Sequence, residues 1–75
     1  MELKDVFGEA MRELREKNSM TQLDLAEKSG YHKNYISLLE TAQRQPSLET
    51  IFAIAKSFDI KTSELISFVE DKMKG

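Results

Sequence analysis

The 75-residue chain has no cysteine, one histidine, one proline and no tryptophan. Without cysteine there is neither a disulfide scaffold nor a thiolate metal site. A metal would have to rest on His32 and carboxylates, and no ligand spacing supports one. No long apolar run is present, so a membrane span is not expected, and with no leader-like segment the expected location is the cytoplasm. No nucleophile–base pair, glycine-rich phosphate loop or paired-carboxylate pattern stands out, so no catalytic residue, cofactor or small-molecule ligand is expected and the protein is read as a non-enzyme. An excess of positive charge is lacking too: the formal net charge is −2.

The charge is unevenly spread. Residues 1 to 27 carry four basic and seven acidic groups, residues 28 to 46 three and one, and residues 47 to 75 four and five. Only the middle stretch is positive, by two charges, and an excess that small is also what ordinary surface scatter produces.

That middle stretch holds the main organising feature. Thr21 is a good helix N-cap that Asp24 can answer in a capping box, with its negative charge on the positive end of the helix dipole. Gly30 can close the helix in the left-handed conformation and let the chain turn sharply into a second one. Ile36 and Leu39, three apart, give that second helix an inward face for Leu25 and Ala26, and the small Ala26 allows close approach. Two short helices hinged at a glycine form a helix-turn-helix, a motif that lays its second helix in the DNA major groove.

On either side the periodicity is helical. Leu3, Val6, Phe7, Ala10, Met11 and Leu14 make an amphipathic stripe of about fourteen residues, ended at Asn18-Ser19, where Asn can adopt the left-handed cap conformation. A polar loop, Thr41 to Pro46, follows Glu40. Ser47 is the expected cap of a fourth helix with Leu48, Ile51, Phe52, Ile54, Ala55 and Phe58 on its apolar side. Thr62 is the expected cap of a fifth with Leu65, Ile66, Phe68, Val69 and Met73 apolar. No segment alternates with strand period, so the expected fold is all-α, five helices in a single domain spanning residues 1 to 75.

Thr21-Gln22, Leu25-Ala26, Gly30, Tyr35-Ile36-Ser37, Glu40, Arg44, Pro46-Ser47-Leu48, Thr50-Ile51, Ile54-Ala55 and Ile60 stand in the order of one pattern. On these residues the chain resembles the Cro/repressor (lambda-repressor-like, XRE) helix-turn-helix family over roughly residues 5 to 70. It departs where Ser19 and Ala42 stand at positions often held by glycine, and where His32 replaces a small polar cap. The resemblance implies base reading by Lys33, Asn34 and Ser37 with Leu38 and Tyr35 flanking. Lys can donate to guanine, Asn can pair with adenine, and Leu38 can rest on a thymine methyl. Gln22, Arg44, Gln45 and, less directly, His32 are the implied phosphate contacts. An ion pair between Arg15 and Glu40 is implied as well.

A 75-residue domain has a small core, so burial against a second copy would help it. The fifth helix carries apolar residues on more than one stripe, and Phe68 with Val69, Leu65 and Met73 is the expected homodimer interface. The function that follows is a dimeric, sequence-specific DNA-binding regulator on a palindromic operator, of the kind represented by restriction–modification controller proteins or small phage repressors. The alternative is a protein-interaction module, antitoxin-like or an adaptor, using the same helices.

Overall fold

The computed structural model describes residues 2–75, and among these there are five helices and no strand. They are α1 (Leu3–Lys17), α2 (Gln22–Ser29), α3 (Lys33–Glu40), α4 (Leu48–Ser57) and α5 (Thr62–Met73). Helix α1 packs on α3 and α5, α2 on α3 and α4, and α4 on α5. The shared centre is made by Met11, Leu25, Ile36, Leu39, Ile54 and Leu65, all fully buried, with Val6, Phe7, Ala10, Ala26, Ala55, Phe58 and Val69 around them.

Local signals account for the helix starts. Thr21 Oγ1 accepts from the Asp24 N–H at 3.0 Å, and the Thr21 N–H donates to Asp24 Oδ2 at 2.8 Å, the reciprocal capping box. These hydrogen bonds, the one from the Thr21 backbone foremost, hold the Asp24 carboxyl below its ordinary pKa. Ser47 Oγ caps α4 through the Thr50 N–H at 3.1 Å. Thr62 proves to be the first residue of α5 and not its cap. The cap position belongs to Lys61, because Glu64 reaches back to the Lys61 N–H at 2.8 Å.

Four helices end alike, with the N–H two residues past the last turn returning to a carbonyl five positions earlier. The pairs are Met20 to Arg15, Tyr31 to Ala26, Gln43 to Leu38 and Ile60 to Ala55, at 2.9–3.1 Å. This closure requires a left-handed residue just before the returning N–H. At α2 that residue is Gly30, φ 82°; elsewhere it is Ser19 (φ 56°), Ala42 (φ 62°) and Asp59 (φ 57°). Asn18 therefore does not take the left-handed position. Its side-chain amide donates to the Leu14 carbonyl at 2.7 Å, and Ser19 makes the turn.

Gly8 has a structural role that the helical stripe conceals. A Cβ there would stand 2.6 Å from the Glu40 carbonyl oxygen and 2.7 Å from that of Leu39. The missing side chain lets α1 cross directly over the end of α3.

Several apolar residues of the stripes lie outside the core. Leu3 (62% exposed), Leu48 (70%) and Phe52 (56%) face solvent, and so does Ile66 (39%). Each sits at the edge of its helix's apolar arc, where no neighbouring helix covers it.

Candidate nucleic-acid interface

Helices α2 and α3 are joined by only Gly30, Tyr31 and His32, and their buried residues Leu25, Ala26, Ile36 and Leu39 weld them into one unit. The opposite side of α3 is left open. Lys33 and Asn34 are exposed in its first turn, next to exposed His32, while Ser37 and Leu38 are half-buried one turn on. His32 occupies the N-cap position without a side-chain cap hydrogen bond. The positive end of this helix is therefore not neutralised by its own cap.

The angle of α3 is held by an ion pair at its other end. Arg15 Nε donates to Glu40 Oε2 at 2.6 Å and Arg15 Nη2 to Glu40 Oε1 at 3.1 Å, a two-pronged geometry, while Nη1 donates to the Met20 carbonyl at 2.8 Å. Both side chains are shielded, 11% and 4% exposed. The Glu40 hydrogen bonds raise the Arg15 pKa above its ordinary value in spite of burial. Gln22 Nε2 also donates to Glu40 Oε1, at 3.1 Å. One carboxylate thus ties α1, the start of α2 and the end of α3 together.

Tyr35 has an inward contact as well as its place in α3. Its hydroxyl lies 3.2 Å from Thr50 Oγ1, which is also 3.1 Å from the Tyr31 hydroxyl and 2.9 Å from Ser47 Oγ. Thr50 is only 2% exposed, so these hydroxyls satisfy a buried polar group at the start of α4. Its half-buried ring packs toward α4, 5.1 Å from the Tyr31 ring. The Arg44 guanidinium sits 5.6 Å from the Tyr35 ring centre, within cation–π range, and so shares a side of the molecule with α3. Gln45 beside it is exposed.

A model of the helix-turn-helix family matches residues 11–65. The chain belongs to the XRE-type helix-turn-helix family. The control protein C.SmaI of Serratia marcescens is 33% identical over 67 residues, 89% of this chain and 80% of the relative. The restriction-modification controller protein C.AhdI from Aeromonas hydrophila is 37% identical and superposes with a TM-score of 0.80 over 83% of this chain and 94% of that one. The fold is also that of the controller protein C.Esp1396I, crystallised as a tetramer with its natural 35 base-pair operator. That match has 23% identity and a TM-score of 0.93, covering 100% and 99%.

Within this helix-turn-helix protein the expected partner surface on α5 needs correction. Leu65 and Val69 are 0% and 4% exposed and belong to the monomer core, so they offer almost no surface to a second copy. Phe68 is half-buried against the same core, with the Lys72 ammonium 5.7 Å from its ring centre. Lys72 in turn bridges to Glu13 at 2.6 Å, which covers that side of α5 with charge. Of the four residues only Met73, 47% exposed, stands free. Among the described residues no cluster of three or more His, Asp or Glu could hold a metal, and no helix is long and apolar enough to cross a membrane.

Gly8 and the Tyr31–Tyr35–Ser47–Thr50 hydroxyl cluster are the contributors that sequence reasoning misses. The signal available for Gly8 was its position inside an otherwise periodic helix, where a glycine usually has a packing reason. For the hydroxyl cluster there was no local signal, because its members come from three different elements.

Proposed function

We propose that this helix-turn-helix regulator binds duplex DNA as a two-fold dimer, with the N-terminal half of α3 in the major groove of each half-site. The observation that carries this reading is the exposed first turn of α3, with Lys33 and Asn34 outward and the rest of the helix anchored by Arg15–Glu40. Lys33 donates to guanine O6 or N7, Asn34 pairs with adenine N6 and N7, and Ser37 and Leu38 approach the next base step.

Phosphate contacts flank the groove in this reading. Glu40 holds one amide N–H of Gln22, which leaves the second N–H and the start of α2 for a phosphate oxygen. Arg44 and Gln45 meet the backbone on the other side, and His32 stands beside the first turn of α3. The relatives named as control proteins support a role in the control of transcription. A cytoplasmic setting follows from that role.

Duplexes retained from a random pool test the proposal. On the selected site Asn34→Ala should lose about 1–3 kcal/mol and relax preference at one position per half-site, while Arg44→Ala should weaken all duplexes alike and lower the salt slope by about one. Equal losses on selected and random DNA for Asn34→Ala would refute base reading by that residue.

A further inference from the structure

We infer that the Tyr31 hydroxyl is a DNA-phosphate donor, aimed by the buried Thr50. This rests on the reading of α3 as the groove helix and adds to it a contact made from the turn before that helix. The argument starts from the hydrogens of the hydroxyl cluster. Thr50 Oγ1 has one hydrogen and two lone pairs, and it meets three other hydroxyls. Its hydrogen goes to the Tyr31 oxygen at 3.1 Å, with Thr50 as the donor. Its lone pairs then take the hydrogens of Tyr35, at 3.2 Å, and Ser47, at 2.9 Å. Ser47 Oγ accepts in turn from the Thr50 N–H. Three of the four hydroxyl hydrogens are thereby used inside the cluster. The fourth, on Tyr31, has no acceptor among the described residues, although the oxygen that carries it is held in place.

The position suits a phosphate. Tyr31 starts in the turn between α2 and α3, and its hydroxyl ends against the first turn of α4, so the side chain links the two loops that bracket the reading helix. Its ring lies 5.1 Å from that of Tyr35, over which the exposed Arg44 guanidinium sits at 5.6 Å. Ser47 and Gln45 are exposed at the same place. Lys33 and Asn34 occupy the open side of α3, whereas the two tyrosines lean toward α4. The Tyr31 hydroxyl therefore meets a duplex at the edge of the groove, where the backbone runs, beside Arg44.

The contact differs in kind from that of Arg44. A neutral hydroxyl donates to a phosphate oxygen without replacing a counterion, so it adds affinity and leaves the salt slope alone. Because Thr50, only 2% exposed, fixes the oxygen beforehand, little side-chain freedom is lost on binding.

Ethylation interference on the selected duplex, with Tyr31→Phe beside the wild type, tests the assignment. Phenylalanine keeps the ring, and Thr50 can turn its hydrogen to the Tyr35 oxygen, so no buried group is left unpaired. Interference compares ethylated with intact duplex inside the bound fraction and does not depend on how much of the variant is folded. One phosphate per half-site should lose its effect in Tyr31→Phe. Affinity should fall about tenfold on selected and random duplexes alike, as for one hydrogen bond to a charged group, with the salt slope unchanged. An ethylation pattern identical to that of the wild type, or a lowered salt slope, would overturn the role of Tyr31 and leave the reading of α3 standing. A wild type that retains no duplex from the random pool would overturn both.

Discussion

Replacing Glu40 by alanine removes the group on which three hydrogen-bond donors converge. Arg15 then keeps only its hydrogen bond to the Met20 carbonyl, and its charge stays shielded from water, at 11% side-chain exposure. Breaking a buried pair from one side costs about 3–5 kcal/mol, and partial access of water to Arg15 places this case near the lower figure. A domain of this size has about 4–11 kcal/mol of stability in all, so a loss of about 3 kcal/mol takes away a large share of it. At about 4–8 °C per kcal/mol the thermal midpoint should fall by roughly 12–24 °C, read by circular dichroism at 222 nm. Arg15→Met combined with Glu40→Leu should recover most of the loss, since an apolar pair of similar volume leaves no charge uncompensated. A midpoint lowered by less than about 4 °C would equate the pair with an exposed one and refute the argument. So would a double variant no more stable than Glu40→Ala.

Three further outcomes follow from the geometry. Ala42 sits at φ 62°, a region that costs an L-residue about 1–2 kcal/mol, so Ala42→Gly should raise stability by about 1 kcal/mol in urea unfolding after the added flexibility of the unfolded chain is counted. Gly8→Ala should do the reverse: the helix-propensity gain of about 1 kcal/mol is outweighed by pushing α1 off two carbonyl oxygens of α3, and a net loss of about 1–2 kcal/mol is expected by the same assay. The folded-state pKa of Asp24 is lowered, so its contribution to stability is present above about pH 4, the unfolded carboxylate value, and is lost as pH falls through the folded value. Asp24→Asn should therefore flatten the acid limb of the stability profile, and an identical limb in the variant would remove Asp24 from that account.

The parts of the fold that could be read from the chain are those governed by near neighbours. Thr21 and Asp24, Gly30, Ser47 and the period of Val6, Phe7, Ala10 and Met11 act within a turn or two, and their roles follow from residue type and spacing. The closures at Ser19, Ala42 and Asp59 were less legible because packing imposes a left-handed turn on residues that do not favour it. Which stripe of α5 is inward depends on the angle at which it meets α1 and α4, and neither helix reveals that angle alone. Leu65 and Val69 could thus be separated from Ile66 only in three dimensions. Tyr35 shows the same limit at the candidate interface: nothing near it in α3 announces that its hydroxyl meets Thr50, fifteen residues away.

The central claim is that α3 presents Lys33 and Asn34 to base edges in the major groove. Dimethyl sulfate interference on the selected duplex tests it most directly, because methylation marks guanine N7 in the major groove and adenine N3 in the minor groove. The account predicts interference at guanine N7 in two clusters about one helical turn apart, with one guanine per half-site losing its effect in Lys33→Ala. Interference confined to adenine N3, or a pattern unchanged in Lys33→Ala, would contradict it.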